Sequence, residues 1–150
     1  MTRILLVLAT HVEAMPFSTE ELPIGIPTAM SFSGRHQVDI LVTGAGAVPT
    51  AFHLSRNTST YNLIINLGIA GSYRSELTPG SLVTVGSDSF ADYGVDNNGH
   101  FEHLNSLGFN KDAHFRLDKL ENPWLNQFNL TLPVVKGITV GTASGSTERI

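Results

Sequence analysis

The sequence contains no cysteine, which excludes a thiolate nucleophile, a CxxC redox pair, a disulfide staple and a cysteine-ligated zinc cluster. That composition fits a reducing compartment and is read as cytoplasmic. Positive charge is also scarce. Nine Lys plus Arg stand against thirteen Asp plus Glu, a formal charge of −4, and no basic run is present to neutralise a phosphate backbone, so no nucleic-acid partner is expected. Long apolar runs are missing too: Ile4 to Ala9 covers six residues, where a spanning helix needs about 20. No membrane partner is expected, and His11 and Glu13 stand where a signal peptide would carry small residues before its cleavage site. What remains, 150 residues at 41% hydrophobic and 15% charged, is the profile of one globular domain able to build a core without staples.

The apolar runs set the order of elements. Ile4 to Ala9 is continuously apolar rather than alternating, as in a strand covered on both faces of a parallel or mixed sheet. Val38 to Thr43 reads as a second strand, ending in Gly44-Ala45-Gly46-Ala47, and Pro49 then suits the first turn of a helix running to about Arg56. Asn57 to Thr60 closes that helix, and Leu63 to Leu67 forms a third strand leading into Gly68-Ile69-Ala70-Gly71. After the turn at Thr78-Pro79-Gly80, Leu82 to Val85 reads as a fourth strand. Phe90 to Gly99 is a loop or short hairpin, Phe101 to Phe128 carries mixed signals, and Val134 to Val140 is a last strand. Thr147-Glu148 opens a helix that has not completed a turn by Ile150. A helix in that state buries nothing, so a fragment lacking its C-terminal part is expected.

Several strand ends carry small residues: Ala9-Thr10, Gly44 to Gly46, Gly68 to Gly71, and Thr142-Ala143-Ser144-Gly145-Ser146. Ligands of open α/β sheets bind at the carboxyl ends of strands, so four such ends point jointly to one pocket, whereas each glycine singly is explained by a tight turn. Glu13, four residues past the first strand and beside Val12, Met15 and Phe17, serves either as a general base or water-orienting carboxylate, or as a helix-start glutamate on the dipole. His11 lacks companions for a metal site, and His100 and His103 read as surface residues. Asp88 is read as a turn cap, Phe90 and Tyr93 as core or ring-stacking residues, and Ser72 lacks the elbow motif of a nucleophile. Gly44-x-Gly46 opens like a dinucleotide fingerprint, but Pro49 occupies the third glycine position.

Glu13 after an apolar strand, Asp39-Ile40-Leu41-Val42-Thr43-Gly44-Ala45-Gly46, Ile64-Ile65-Asn66-Leu67-Gly68-Ile69-Ala70-Gly71-Ser72 and Phe90-Ala91-Asp92-Tyr93-Gly94 follow in that order and spacing. This combination resembles the purine nucleoside phosphorylase and methylthioadenosine/S-adenosylhomocysteine nucleosidase superfamily, and within it the futalosine hydrolase family of menaquinone biosynthesis. The resemblance implies an α/β fold of three layers, a twisted mixed sheet flanked by helices. It implies hydrolysis of an N-glycosidic bond in a small-molecule purine nucleoside, with no cofactor and no metal, by a homo-oligomer. Glu13 matches the acidic residue that orients or deprotonates the attacking water. Gly44, Gly46, Gly68, Ile69, Ala70 and Gly71 match the pocket floor, Phe90 and Asp92 the segment after the fourth strand, and Thr142, Ala143 and Ser144 the segment beside the purine ring.

Two departures bear on chemistry. Asn66 and Ile69 stand where the phosphorylases hold phosphate, with no basic residue at either place, which makes water the expected nucleophile. Ile69 also replaces the serine of the methylthioadenosine nucleosidases. The family's ribose-binding glutamate and leaving-group acid have no counterpart before Ile150, so poor catalysis by this chain alone is expected. The readings carried forward are a futalosine-type nucleosidase, a methylthioadenosine nucleosidase or nucleoside phosphorylase, a non-catalytic binding fragment, and a dinucleotide-binding module.

Overall fold

The computed structural model describes residues 2–32, 34–109, 116–128 and 131–145; the helix start expected at Thr147-Glu148 lies outside them. The chain forms two compact units, Met1–Gly71 and Ser72–Ile150. It is a mixed α/β protein with several small sheets and little helix.

The first unit is built on strands β1 (Arg3–Leu8), β2 (Thr28–Met30), β3 (Gln37–Val42) and β4 (Leu63–Asn66), in the sheet order β2-β3-β1-β4. β1 runs parallel to both β3 and β4, with Leu5 opposite Asp39 and Ile64, while β2 joins β3 antiparallel. The apolar runs of β1 and β3 are continuous because each face is covered. On one face Leu6, Leu8, Ile40 and Val42 pack with Ala14 and Leu22; on the other Leu5, Val7 and Leu41 pack against Leu54 and Tyr61. Each fully buried leucine or isoleucine here contributes about 1.5–3 kcal/mol over its exposed state.

Helix α1 (His11–Ala14) follows β1, and α2 (Ala47–Ser55) connects β3 to β4, beginning two residues earlier than Pro49. Gly44 and Gly46 take φ of 87° and 105°, left-handed backbone that a side chain disfavours, so the turn into α2 depends on them. Thr43, buried, donates toward Gly44 O at 3.0 Å, and Thr50 Oγ1 donates to Gly46 O at 2.9 Å, bracing that turn from within.

In the second unit, β5 (Thr84–Asp88) lies between β8 (Leu120–Glu121), antiparallel, and β9 (Val134–Lys136), parallel. The fourth strand thus starts and ends later than the expected Leu82 to Val85, and Leu82 is exposed. The physical reason is Gly86: it marks a bulge against β9 that keeps the strand going through Ser87 and Asp88, and a Cβ there would lie 2.6 Å from Val134 Cγ1. β9 ends at Lys136, short of the expected Val140, and beyond it only Thr139 bridges to Phe90. β6 (Gly94–Asn97) and β7 (His100–His103) form a hairpin around Asn98-Gly99, whose φ of 54° and 84° are those of a type I′ turn.

Candidate functional site

Parallel pairing of β3, β1 and β4 brings three small-residue strand ends to one edge of the first sheet: Ala9-Thr10, Thr43 to Gly46, and Leu67 to Gly71. The chain leaves β1 for β3 on one side and returns past β1 to β4 on the other, so β1 and β4 flank a topological switch point, where open α/β sheets bind ligands.

Glu13 bridges this point. It is the third residue of α1, and with Thr10 it makes a reciprocal capping box: Glu13 N donates to Thr10 Oγ1 at 3.3 Å, and Thr10 N donates to Glu13 Oε2 at 2.9 Å. Oε2 also accepts from Ala9 N at 3.0 Å and from Thr10 Oγ1 at 3.0 Å. Oε1 reaches across to the loop after β4 and accepts from Ile69 N at 3.0 Å. That last contact exceeds what a helix start requires. Burial pushes the carboxyl up, but the hydrogen bonds from Ile69, Thr10 and Ala9 outweigh it and hold Glu13 below its ordinary value, ionised at neutral pH. Gly68 makes the approach possible, because a Cβ there would lie 2.8 Å from Oε1.

Glu13, Gly68 and Ile69 are therefore in direct contact. Gly44 and Gly46 share the same sheet edge but pack on Pro49, at 3.6 and 3.8 Å from where their Cβ atoms would be. Pro49, third in α2, takes one amide donor from the helix start, which leaves less for a dinucleotide pyrophosphate. Ala70 and Gly71 are exposed.

The other expected site residues belong to the second unit. Asp92 Oδ2 accepts from Gly141 N at 2.7 Å, Phe90 bridges to Thr139 and tilts against Tyr93 at 6.0 Å between ring centroids, and Tyr73 OH donates to Ser144 Oγ at 3.2 Å. Thr142 and Ala143 are exposed. Asp88, expected to cap a turn, is instead the last residue of β5: it accepts from its neighbour Ser89 N at 2.7 Å and from the Thr139 hydroxyl at 2.8 Å. His103 is tied into the fold: Nε2 donates to Phe90 O at 2.9 Å and Nδ1 accepts from Asn105 N at 3.2 Å.

Sequence reasoning left two groups without a role. Thr10, named there only as a small residue at a strand end, is one; the Thr-x-x-Glu spacing of Thr10 and Glu13 is the capping-box signature that would have given it one. The other is a buried clamp in which Asp39 Oδ2 accepts from Tyr61 OH at 2.6 Å and from Arg3 at 3.1 Å, with the guanidinium 4.9 Å from the Tyr61 ring centroid. A single carboxylate inside the apolar run of β3 was its signal.

Two open grooves are present, neither lined by Glu13. One of about 400 Å³ in the first unit is lined by Ile24, Pro27, Phe52, His53 and Arg56; one of about 700 Å³ in the second by Arg74, Ser87, Asn122, Leu125, Val134 and Lys136. Among the described residues, no three His, Asp or Glu are grouped to hold a metal ion, and no helix is long and apolar enough to cross a membrane. No protein-family model, curated protein or solved structure matches this chain.

Proposed function

We propose that this chain is a nucleosidase of the purine nucleoside phosphorylase and methylthioadenosine/S-adenosylhomocysteine nucleosidase superfamily, with its three-layer fold. In this reading it hydrolyses the N-glycosidic bond of futalosine to hypoxanthine and dehypoxanthine futalosine, as a cytoplasmic homo-oligomer. The observation that carries the reading is the Glu13 carboxylate, held ionised at the β1/β4 switch point with its Oε1 against Gly68 and the Ile69 amide.

An ionised carboxylate there orients a water and takes its proton as the water oxygen bonds to the anomeric carbon. The glycosidic C–N bond breaks with its electron pair going to the purine, which takes its proton from solvent, and the oxocarbenium-like charge falls beside the anionic Glu13. Phosphate is disfavoured as nucleophile. Asn66 and Ile69 supply no cation for a dianion, and the Ile69 amide is already engaged by Glu13.

The test is release of hypoxanthine from futalosine by the purified chain, with and without phosphate, followed by chromatography. Release independent of phosphate is the expected outcome; release that requires phosphate would make it a phosphorylase, and methylthioadenosine run in parallel tests that substrate. The Glu13→Gln variant is expected to lower turnover by about 10²–10⁴-fold, the range of a lost general base, with the far-ultraviolet circular dichroism unchanged.

One observation favours a second, non-catalytic reading: all four donors to Glu13 come from the chain itself, as in a purely structural lock. Glu13→Gln lowers the melting temperature at neutral pH in either reading; a lock predicts in addition that the wild-type chain releases no base.

A further inference from the structure

We infer that Thr10 is the positioning residue of this site: its hydroxyl, together with the missing side chain of Gly68, orients Glu13 so that Oε1 is the oxygen left with an open acceptor position. The inference takes its chemistry from the nucleosidase reading and its placement from geometry. A carboxylate offers about four acceptor positions, two on each oxygen. Oε2 already accepts from three donors, Ala9 N at 3.0 Å, Thr10 N at 2.9 Å and Thr10 Oγ1 at 3.0 Å, and is saturated. Oε1 accepts from Ile69 N alone, at 3.0 Å. A water needing an acceptor finds it on Oε1 and not on Oε2.

Thr10 supplies two of the three donors to Oε2, its amide and its hydroxyl, and the hydroxyl is engaged from both sides. The oxygen receives Glu13 N at 3.3 Å, which turns its single proton toward Oε2. Valine has the same shape and makes neither bond, whereas serine makes both. Gly68 acts from the other side. Its backbone is in a conformation any residue adopts, and the atom 2.8 Å from its would-be Cβ is the far end of the Glu13 side chain. A methyl group there is accommodated by moving Glu13 off the Ile69 amide rather than by disturbing the sheet.

The experiment compares Thr10→Val, Thr10→Ser and Gly68→Ala with the wild-type full chain. It uses carbon-13 NMR of the labelled glutamate carboxyls to follow Glu13, thermal unfolding, and steady-state kinetics with futalosine across pH. Thr10→Val and Gly68→Ala are expected to move the Glu13 titration upward, and Thr10→Ser to keep it at the wild-type position. In the two displaced variants kcat falls by about tenfold, the scale of one charge-assisted hydrogen bond, KM stays within about twofold, and the acid limb of the pH profile moves up with the titration. An unmoved Glu13 titration in folded Thr10→Val overturns the assignment. Should Thr10→Val fail to fold, an unmoved titration in Gly68→Ala does the same. If the wild-type chain releases no base, the titration still decides the role of Thr10, and the failure falls on the nucleosidase reading alone.

Discussion

Gly25 carries a constraint of a different kind from Gly68. Its φ is +78°, and a Cβ would lie 2.3 Å from His53 Nδ1, so both backbone and neighbour oppose a side chain. Gly25→Ala is expected to cost more in urea unfolding than the left-handed backbone penalty of about 1–2 kcal/mol, and adding His53→Ala recovers only the steric excess above it. Glu13 sets a pH dependence. Its carboxyl is lower in the folded than in the unfolded chain, so its contribution to stability is present above the unfolded value and is lost as pH falls through the folded one. The melting temperatures of wild type and Glu13→Gln should therefore converge on acidification; a constant difference across the acid range would contradict the hydrogen-bond account. At this scale the places of Glu13, Gly68 and Ile69 at strand ends were legible, whereas the choice between a site carboxylate and a helix-start glutamate for Glu13, and between pocket floor and tight turn for Gly68, was not. Nor was the Thr10 hydroxyl, since a threonine before a helix is explained by capping alone until its oxygen is found 3.0 Å from Oε2.

Strands β1, β3 and β4 and helix α2 were legible as elements because continuous apolar runs and a Gly-Pro helix start leave little choice. β2 escaped: Thr28–Met30 is three residues long and follows Pro27, too short for any period to register. β7, β8 and the shifted β5 owe their places to the Asn98-Gly99 turn and the Gly86 bulge, which act through pairing partners rather than through local propensity. The core of the first sheet makes a direct prediction. Leu41 is fully buried between Leu5, Val7 and α2, and Leu41→Ala should cost about 2–5 kcal/mol by chemical denaturation. The clamp across β1, β3 and the segment before β4 makes another. Burial and the Asp39 carboxylate push the Tyr61 phenol from 10.0 up to about 12, so the folded state binds that proton more tightly than the unfolded one. Stability owed to Tyr61 is complete below pH 10 and falls as pH rises toward about 12. Unfolding followed by denaturant at each pH should show that fall in wild type and lose it in Tyr61→Phe.

Among the described residues, burial is uneven. Of the buried apolar residues there, Leu117 alone belongs to the second unit; Leu5, Leu6, Val7, Leu8, Ala14, Leu22, Ile40, Leu41 and Val42 all belong to the first. Local opening follows the local density of buried contacts. Native-state hydrogen exchange should find the slowest amides in β1 and β3 and markedly faster ones in β5 to β9; equal protection in both units would refute the uneven core. The parallel placement of β1 between β3 and β4 has a last consequence, in time rather than space. β1 is synthesised before both of its partners, which begin at Gln37 and Leu63. At roughly 5–20 residues per second, the most apolar strand of the chain waits several seconds for its second neighbour, so β1 is the segment that most needs a chaperone's cover during synthesis.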